Sequence, residues 1–287
     1  MTDVPRPPRS EGELAKRVLV YARRQHLAEG RVRRWISHMV LCGAMIDRSQ
    51  GASQPDFLIK GGVALELRLR RRARATRDLD VTLARCDGPL IDAVESALQG
   101  EFEGFTFRRK GEPYVMPNRV LRVEIAIQYK GRSWATVRLD VTTNELDTLE
   151  IEYIKAFLLR PFGLTGPERL PCLALPYQIA QKIHAVSESR PQGRDNDRVR
   201  DMVDLLLLRG GGGGGGGGAI ADLAAVRAAC QRVFDLRGTH SWPPTFEPPD
   251  WWVAEFEQSA SEVGLREIGF AQALSAMRTF IGEISCG

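Results

Sequence analysis

No stretch of this 287-residue sequence approaches the roughly 20 consecutive apolar residues needed to span a bilayer. The opening residues, Met1 to Ser10, are polar and proline-rich, with no apolar stretch behind a basic one, which is not the pattern of a secretory signal. Cysteine is sparse and unpatterned. The five (Cys42, Cys86, Cys172, Cys230, Cys286) are odd in number, widely scattered and form no CxxC pair. That argues against a disulfide framework or a thiolate zinc site and for a reducing, cytoplasmic setting, with each cysteine a small buried hydrophobe or an idle thiol. None of the four histidines (His26, His38, His184, His240) has a partner spacing that suggests a metal or catalysis; His184 lies two residues from Lys182 and so points to another face of its helix.

Net charge is also small, +4, too little to name a partner by itself. Its distribution says more. Nearly all the cations are arginine, and Arg68, Arg70, Arg71, Arg72, Arg74 and Arg77 crowd into ten residues just before an aspartate pair. A solvated face is one reading; a surface for polyphosphate or a nucleic-acid backbone is the other. Apolar and charged fractions of 43% and 26% are those of an ordinary globular protein long enough for one large domain or two modest ones.

Ser10 with Glu13 has the form of a capping box and predicts a first helix running to about His26. Gly30 reads as a helix stop, with a second helix from Arg31 to about Ile46. Leu58-Ile59 is a short strand ending at Lys60-Gly61-Gly62, followed by a helix over Val63 to Leu69. Leu79 to Leu83 alternates as a strand, Ile91 to Leu98 as a helix and Phe105 to Arg109 as a strand. Val120 to Gln128 and Thr136 to Thr142 predict an antiparallel pair joined around Lys130-Gly131. Beyond residue 150 the pattern turns helical: Tyr177 to Val186 behind Pro176, then Val199 to Leu208, Ile220 to Phe234, Trp251 to Val263 and Ile268 to Ile284. The expected organisation is an α+β domain over 1–165, with two N-terminal helices and a mixed sheet, and a helical domain over 166–287. Gly210 to Gly218 reads as a flexible linker, because such a tract has no side chains to pack and none of the offsets of a phosphate loop. Thr239 to Asp250, flanked by Trp242, Trp251 and Trp252, reads as a proline-rich strap packed on the helical half rather than a base-stacking surface.

The chemistry concentrates at Lys60-Gly61-Gly62 and Asp78-Leu79-Asp80. On a strand, residues two apart face one side, so Asp78 and Asp80 present both carboxylates together while Leu79 enters the core. Such a pair is tolerated where it faces water, shares a proton or binds a cation. Two-metal phosphoryl chemistry uses this arrangement, and a strand–Gly-Gly–helix turn lets backbone approach a triphosphate. Alternation in Val137 to Val141 puts Asp140 where a third carboxylate belongs. In the second half, Lys182 falls inside the apolar stripe Ile179, Ile183, Val186, and Asp201 and Asp204 share a face with Leu205 and Leu208. These residues read either as a Lys–Asp ion pair joining two helices or as Lys182 on a phosphate with Asp204 on metal, ribose or base.

Four stretches together resemble the AbiEii/AbiGii toxin family of nucleotidyltransferases: Ile59 to Leu65, Arg74 to Asp80, Gln178 to Ala185 and Arg200 to Leu205. The resemblance implies a DNA polymerase β-like nucleotidyltransferase core followed by an all-helical C-terminal half. It implies Mg²⁺ with a nucleoside triphosphate (NTP) donor: Asp78 and Asp80 as metal ligands, joined by Asp140 on the geometric argument, Lys182 and Asp204 as essential active-site residues, and Lys60, Gly61, Gly62, Thr76, Arg77 and Lys182 on the triphosphate. It further implies a toxin paired with a cognate antitoxin, acting on the 3′ acceptor end of tRNA to block translation. Arg68 to Arg77, with Arg108 and Arg109, would steer the acceptor stem. The nine-glycine run after Arg209 departs from the ordinary helix-to-helix connection expected there. Three rival readings stay open: nucleotidylation of a protein, a nucleotide-binding module without transfer, and an antitoxin-like interaction protein.

Overall fold

Ser10 holds an extended backbone ahead of the first helix, α1 (Glu11–Arg24), and its Oγ accepts the Glu13 N–H at 3.3 Å. The return half of the capping box is shifted by one residue: Glu13 Oε2 accepts from the Arg9 N–H, 2.8 Å, rather than from that of Ser10. Leu14, Val18 and Ala22, four apart, form the buried stripe. Gly30 does not stop a helix. It lies in the first turn of α2 (Glu29–Arg48), and the chain instead breaks just after α1, where His26 takes φ 52°. Helix propensity at one glycine yields to the packing of a 20-residue helix carrying Val32, Ile36, Met39 and Val40 in the core.

The structure is a computed structural model of the chain and describes residues 5–48, 55–84, 88–116, 119–145, 150–188, 196–210 and 222–286. It resolves into two compact units. The first comprises Met1–Leu67, Ala75–Asn144 and Ile151–Cys172, the second Arg68–Arg74, Glu145–Glu150 and Leu173–Gly287. Cys86 and residues 211–218 of the glycine run lie outside the described residues. Of the other cysteines, Cys42, Cys172 and Cys230 are buried free thiols and Cys286 is exposed.

After the two helices, the first unit continues through β1 (Phe57–Lys60), α3 (Gly61–Leu69), β2 (Asp78–Leu83), α4 (Leu90–Ala97) and β3 (Glu101–Phe102). It is completed by β4 (Phe105–Val115), β5 (Leu121–Tyr129), β6 (Arg132–Thr143), β7 (Ile151–Lys155) and β8 (Arg169–Leu173). These form one eight-stranded mixed sheet in the order β3-β4-β5-β6-β2-β1-β8-β7. The β5–β6 hairpin turns at Lys130-Gly131, both at positive φ, as the glycine there predicts. Strand β2 pairs antiparallel with β1 and parallel with β6. Leu79, Val81, Leu139 and Val141 turn to the covered side and are at most 0% exposed, in one core with α1, α2 and α4. β7 and β8 correct the expectation that helices alone follow residue 150. β8 is five residues with a proline inside, too short to show a period, yet its Leu170 and Cys172 are fully buried where it runs parallel to β1.

The second unit carries α5 (Leu175–Ser187), α6 (Val199–Arg209), α7 (Leu223–Arg237), α8 (Trp252–Glu262) and α9 (Phe270–Cys286). Pro176 sits in the first turn of α5, Gly210 closes α6 at φ 98° and Asp222 caps α7 by accepting from the Ala225 N–H. The proline-rich segment packs as a strap: Phe246 is buried, Trp252 is wholly buried and its indole N–H donates to the Asn196 carbonyl at 2.6 Å. Trp242 packs edge-on to Phe234.

A directional hydrogen-bond chain ties this strap to α5 and α7. Arg237 can only donate, so its Nη1 gives a hydrogen bond to His184 Nδ1 (3.4 Å), which leaves the proton on His184 Nε2. His184 Nε2 donates to Thr239 Oγ1 (3.0 Å), Thr239 donates to His240 Nδ1 (3.0 Å), and His240 Nε2 donates to Ser187 Oγ (2.9 Å). Ser187 closes the chain by donating to the Ile183 carbonyl, 2.7 Å. Arg237 thereby fixes His184 as the neutral Nε2–H tautomer, and this direction satisfies every member of the chain. Burial, with Arg237 and His240 beside it and Glu145 opposing, pushes the His184 pKa down to about 4. The unfolded chain takes up that proton near the ordinary histidine value and the folded one only near 4. The contribution is therefore absent above about pH 7, destabilises progressively as pH falls to about 4, and is constant below. The unfolding free energy from denaturant titrations across this range should fall by about 2 kcal/mol more in the wild type than in His184→Gln.

Candidate active site

The β1–α3 turn and strand β2 are built against one another. Gly61 takes φ +58°, a left-handed conformation that costs an L side chain about 1–2 kcal/mol, and a Cβ there would collide with the Asp80 carboxylate. A Cβ on Gly62 would meet the Thr76 side chain at 2.8 Å. Thr76 is buried and its hydroxyl donates to the Asp78 carbonyl at 3.2 Å, fixing the backbone that enters β2. Lys60 Nζ donates to Thr142 Oγ1, 2.6 Å. Arg77 is exposed.

Pairing register then gathers the carboxylates. Lys60 lies opposite Asp80, and Asp80 opposite Asp140, so all three side chains share the face on which Asp78 also stands. Asp78, Asp80 and Asp140, separated by 60 residues or more of chain at their widest, become neighbours on two adjacent strands. Two guanidinium groups that sequence reasoning missed hold them. Arg138 donates to Asp78, and Arg122 chelates Asp140 with Nε–Oδ1 2.8 Å and Nη2–Oδ2 2.6 Å. The bonds from Arg122 to Asp140, then the charges of Asp140, Asp78 and Asp80, raise the Arg122 pKa against the effect of its partial burial. Alternation puts each arginine on one face of its strand, and only the pairing of β5, β6 and β2 brings both to the carboxylates.

A third missed residue is His38 on α2, 1% exposed. Burial pushes its pKa down to about 4 despite a hydrogen bond to the backbone of Arg77 that favours its charged form. It braces the residue immediately before Asp78 from the core side. A lone histidine in an apolar helix carries no spacing that would announce this.

The donor set is hard oxygen on an open strand face beside a backbone cradle that a side chain would fill, which fits Mg²⁺. Asp140 is turned to Arg122 and Asp78 to Arg138, and among the described residues no three acidic, imidazole or thiol side chains converge as a finished metal cage.

The second unit holds a separate charged cluster. Lys182 on α5, 8% exposed, donates from Nζ to Asp201 and, at 2.9 Å, to Asp204 Oδ2, both on α6. Arg74 clasps the same Asp204 with Nε–Oδ1 and Nη2–Oδ2 both 3.2 Å. Burial pulls the Lys182 pKa down, but Asp201 and Asp204 outweigh it and the net shift is upward. Burial likewise works against the charged form of Asp201, and Lys182 with Arg198 overcomes it, so its pKa is lowered. The structure thus brings Lys182, Asp201 and Asp204 together as an ion pair joining two helices, one of the two readings the sequence allowed, and adds Arg74. The arginine run divides accordingly. Arg74 is committed to Asp204 and Arg68 donates to the Leu173 carbonyl at 3.0 Å, while Arg71, Arg72 and Arg77 are exposed. Arg109, on β4, pairs with Glu95 and Glu112.

An eight-stranded mixed sheet with paired carboxylates beside a Gly-Gly turn, and a helical second unit, is the arrangement of a nucleotidyltransferase. The sequence profile of the family described as nucleotidyl transferase AbiEii toxin, type IV toxin–antitoxin system, matches residues 44–280, and the chain belongs to that family. Among solved structures the fold is similar to MenT4, a nucleotidyltransferase toxin from Mycobacterium tuberculosis H37Rv, with a TM-score of 0.52 and 14% identity over 96% of this chain and 98% of that one. No curated protein sequence matches. Among the described residues no helix is long and apolar enough to cross a membrane.

Gly61→Ala should destabilise the chain by about 2 kcal/mol or more in urea denaturation, combining the left-handed cost with displacement of Asp80. Gly88→Ala, with nothing within 4 Å of the added methyl, should change stability by less than about 0.5 kcal/mol.

Proposed function

We propose that this protein transfers a nucleotidyl group from an NTP to the 3′ acceptor end of tRNA, with Mg²⁺, and so stops translation until a cognate antitoxin intervenes. The observation that carries the reading is the register that stacks Lys60, Asp80 and Asp140 in one row, with Asp78 two residues along and the strained Gly61 backbone against the carboxylates.

In this reading Asp78 and Asp80 hold the metal, with Asp140 as the third ligand once its clasp by Arg122 is exchanged. The bound ion would lower the pKa of the attacking hydroxyl and stabilise charge on the phosphorus oxygens. The chain's own groups do the rest. Gly61 and Gly62 let backbone approach the triphosphate at the N-terminus of α3, where N–H groups point outward. Lys60 stands beside them as a cation for the phosphates, and Thr76 and Arg77 shape the segment leading into β2. The acceptor 3′ oxygen forms a bond to the α-phosphorus as the bond to the β-phosphate oxygen breaks. Pyrophosphate leaves with that electron pair and the hydroxyl proton passes to a carboxylate or to water. Lys182 and Asp204 are required for transfer, and Asp201 and Arg74 fix their positions.

Asp80→Ala should lower transfer at least about 100-fold in an assay with purified protein, total tRNA, Mg²⁺ and each α-labelled NTP in turn. Its folding stability should not fall, because the substitution removes one of several like charges from one face. Label on tRNA that survives in this variant would overturn the mechanism, and label on protein instead of tRNA would replace the acceptor.

A further inference from the structure

The face that carries the carboxylates continues past them. Register extends the row of Lys60, Asp80 and Asp140 through Arg122 on β5 to Tyr114 on β4. At about 4.8 Å between strands, Tyr114 stands about 14 Å from Asp80 along this row. The neighbouring row runs from Asp78 through Arg138 and Glu124 to Lys110, and Arg108 follows on the same face opposite Ala126.

Tyr114 is 59% exposed and stacks on no other ring among the described residues. Its place on this face depends on a β-bulge. Lys110 pairs with Glu124 and Tyr114 with Arg122, so β4 inserts extra residues around Gly111 and still returns its tyrosine to the carboxylate side. Strand β3 pairs only with Phe105 and Thr106, and among the described residues no strand pairs with the outer edge of β4 from Phe107 to Val115, opposite its β5 side. The row therefore runs off an open sheet edge.

We propose that Tyr114, with Arg122, Lys110 and Arg108, forms a track for the single-stranded 3′ end of the acceptor polynucleotide; this rests on the transfer reaction proposed above. One base stacks on the Tyr114 ring, and the phosphates between it and the reacting 3′-hydroxyl lie over the cations of β5 and β4. An exposed aromatic beside cations on a flat open strand face is how single strands are held without sequence readout. The span from Asp80 accommodates a few nucleotides at about 3.4 Å of rise each. An extended protein segment pairing with the same open edge is the competing occupant; it would use the backbone of β4 and have no need of an aromatic ring on the carboxylate face.

The test is fluorescence anisotropy of the full-length protein with a short labelled single-stranded oligoribonucleotide bearing a free 3′-hydroxyl, without NTP, alongside NTP affinity and the KM of each substrate. Tyr114→Ala should weaken oligonucleotide binding about tenfold and raise the acceptor KM similarly, with NTP affinity unchanged. Tyr114→Trp should bind within about twofold of wild type, and Lys110→Ala should reduce the salt dependence by about one phosphate contact. The residue is exposed, so thermal unfolding of each variant should match wild type. Equal affinity and equal acceptor KM in wild type and Tyr114→Ala, with wild type transferring normally, would overturn the track and leave the reaction standing. Loss of antitoxin neutralisation in Tyr114→Ala with RNA binding intact would assign the edge to a protein and also overturn it. Tyr114-dependent RNA binding in a protein that labels only protein would uphold the track and overturn the reaction.

Discussion

Like charge on one strand face is the constraint on which the first unit depends. Asp80 and Asp140 lie opposite each other on parallel strands, and Asp78 is two residues from Asp80 on the same side. At about 5 Å and an effective dielectric of about 20, each such pair repels by about 3 kcal/mol. Several neighbouring features counter that repulsion. Arg138 and Arg122 come from the next strands at the registers that meet the carboxylates, and Leu79, fully buried, anchors β2 between its two aspartates. The glycine at position 61 lets backbone approach where any side chain would strike Asp80. Sheet pairing makes the concentration of charge unavoidable, and the arginines make it tolerable.

The second unit handles charge the opposite way. Lys182, Asp201 and Asp204 are withdrawn from solvent, with Arg74 completing the set. Removing one partner from such a buried set costs about 3–5 kcal/mol, whereas apolar replacement of a whole set is often neutral. Stability alone therefore does not explain why four ionisable groups occupy the junction of two helices. An ammonium group held by two carboxylates, one of them fixed by a bidentate guanidinium, has a single position; a lone lysine on four rotatable bonds does not.

Much of this was legible in the sequence. Alternation around Asp78-Leu79-Asp80 and in Val137 to Val141 was sufficient to put Asp140 on the carboxylate face, because a strand has only two faces. Helical spacing put Asp201 and Asp204 on one face and Lys182 in an apolar stripe, and their meeting as an ion pair was one of two readings it left open. The missing parts were those that depend on which strands become neighbours. Arg122 and Arg138 are unremarkable until β5, β6 and β2 lie side by side, and Arg74 looked like one of a basic run until it met Asp204. β7 and β8 were invisible as strands because each is five residues long, and β8 carries a proline within an apolar run too short for period 2 to show. Gly30 misled because a glycine near a helix start and one after a helix end look alike in sequence.

Parity links the chemistry to the open edge of the sheet. A slip of one residue in any of these pairings would turn a whole strand's side chains to the covered side, so the row from Lys60 to Tyr114 holds only if every register in it is kept. The bulge in β4 is the one irregularity on that path outside the hairpin turn. It adds two residues between Lys110 and Tyr114 relative to β5, an even number, and the alternation resumes on the original face. One inserted residue instead of two would have set Pro113 opposite Arg122 and turned Tyr114 to the other face of the sheet. The bulge also increases local twist and spoils β4 as a template for another strand. An edge so modified, yet presenting an exposed aromatic ring on the carboxylate side, suits a ligand that recognises the face of the sheet better than one that pairs with its rim.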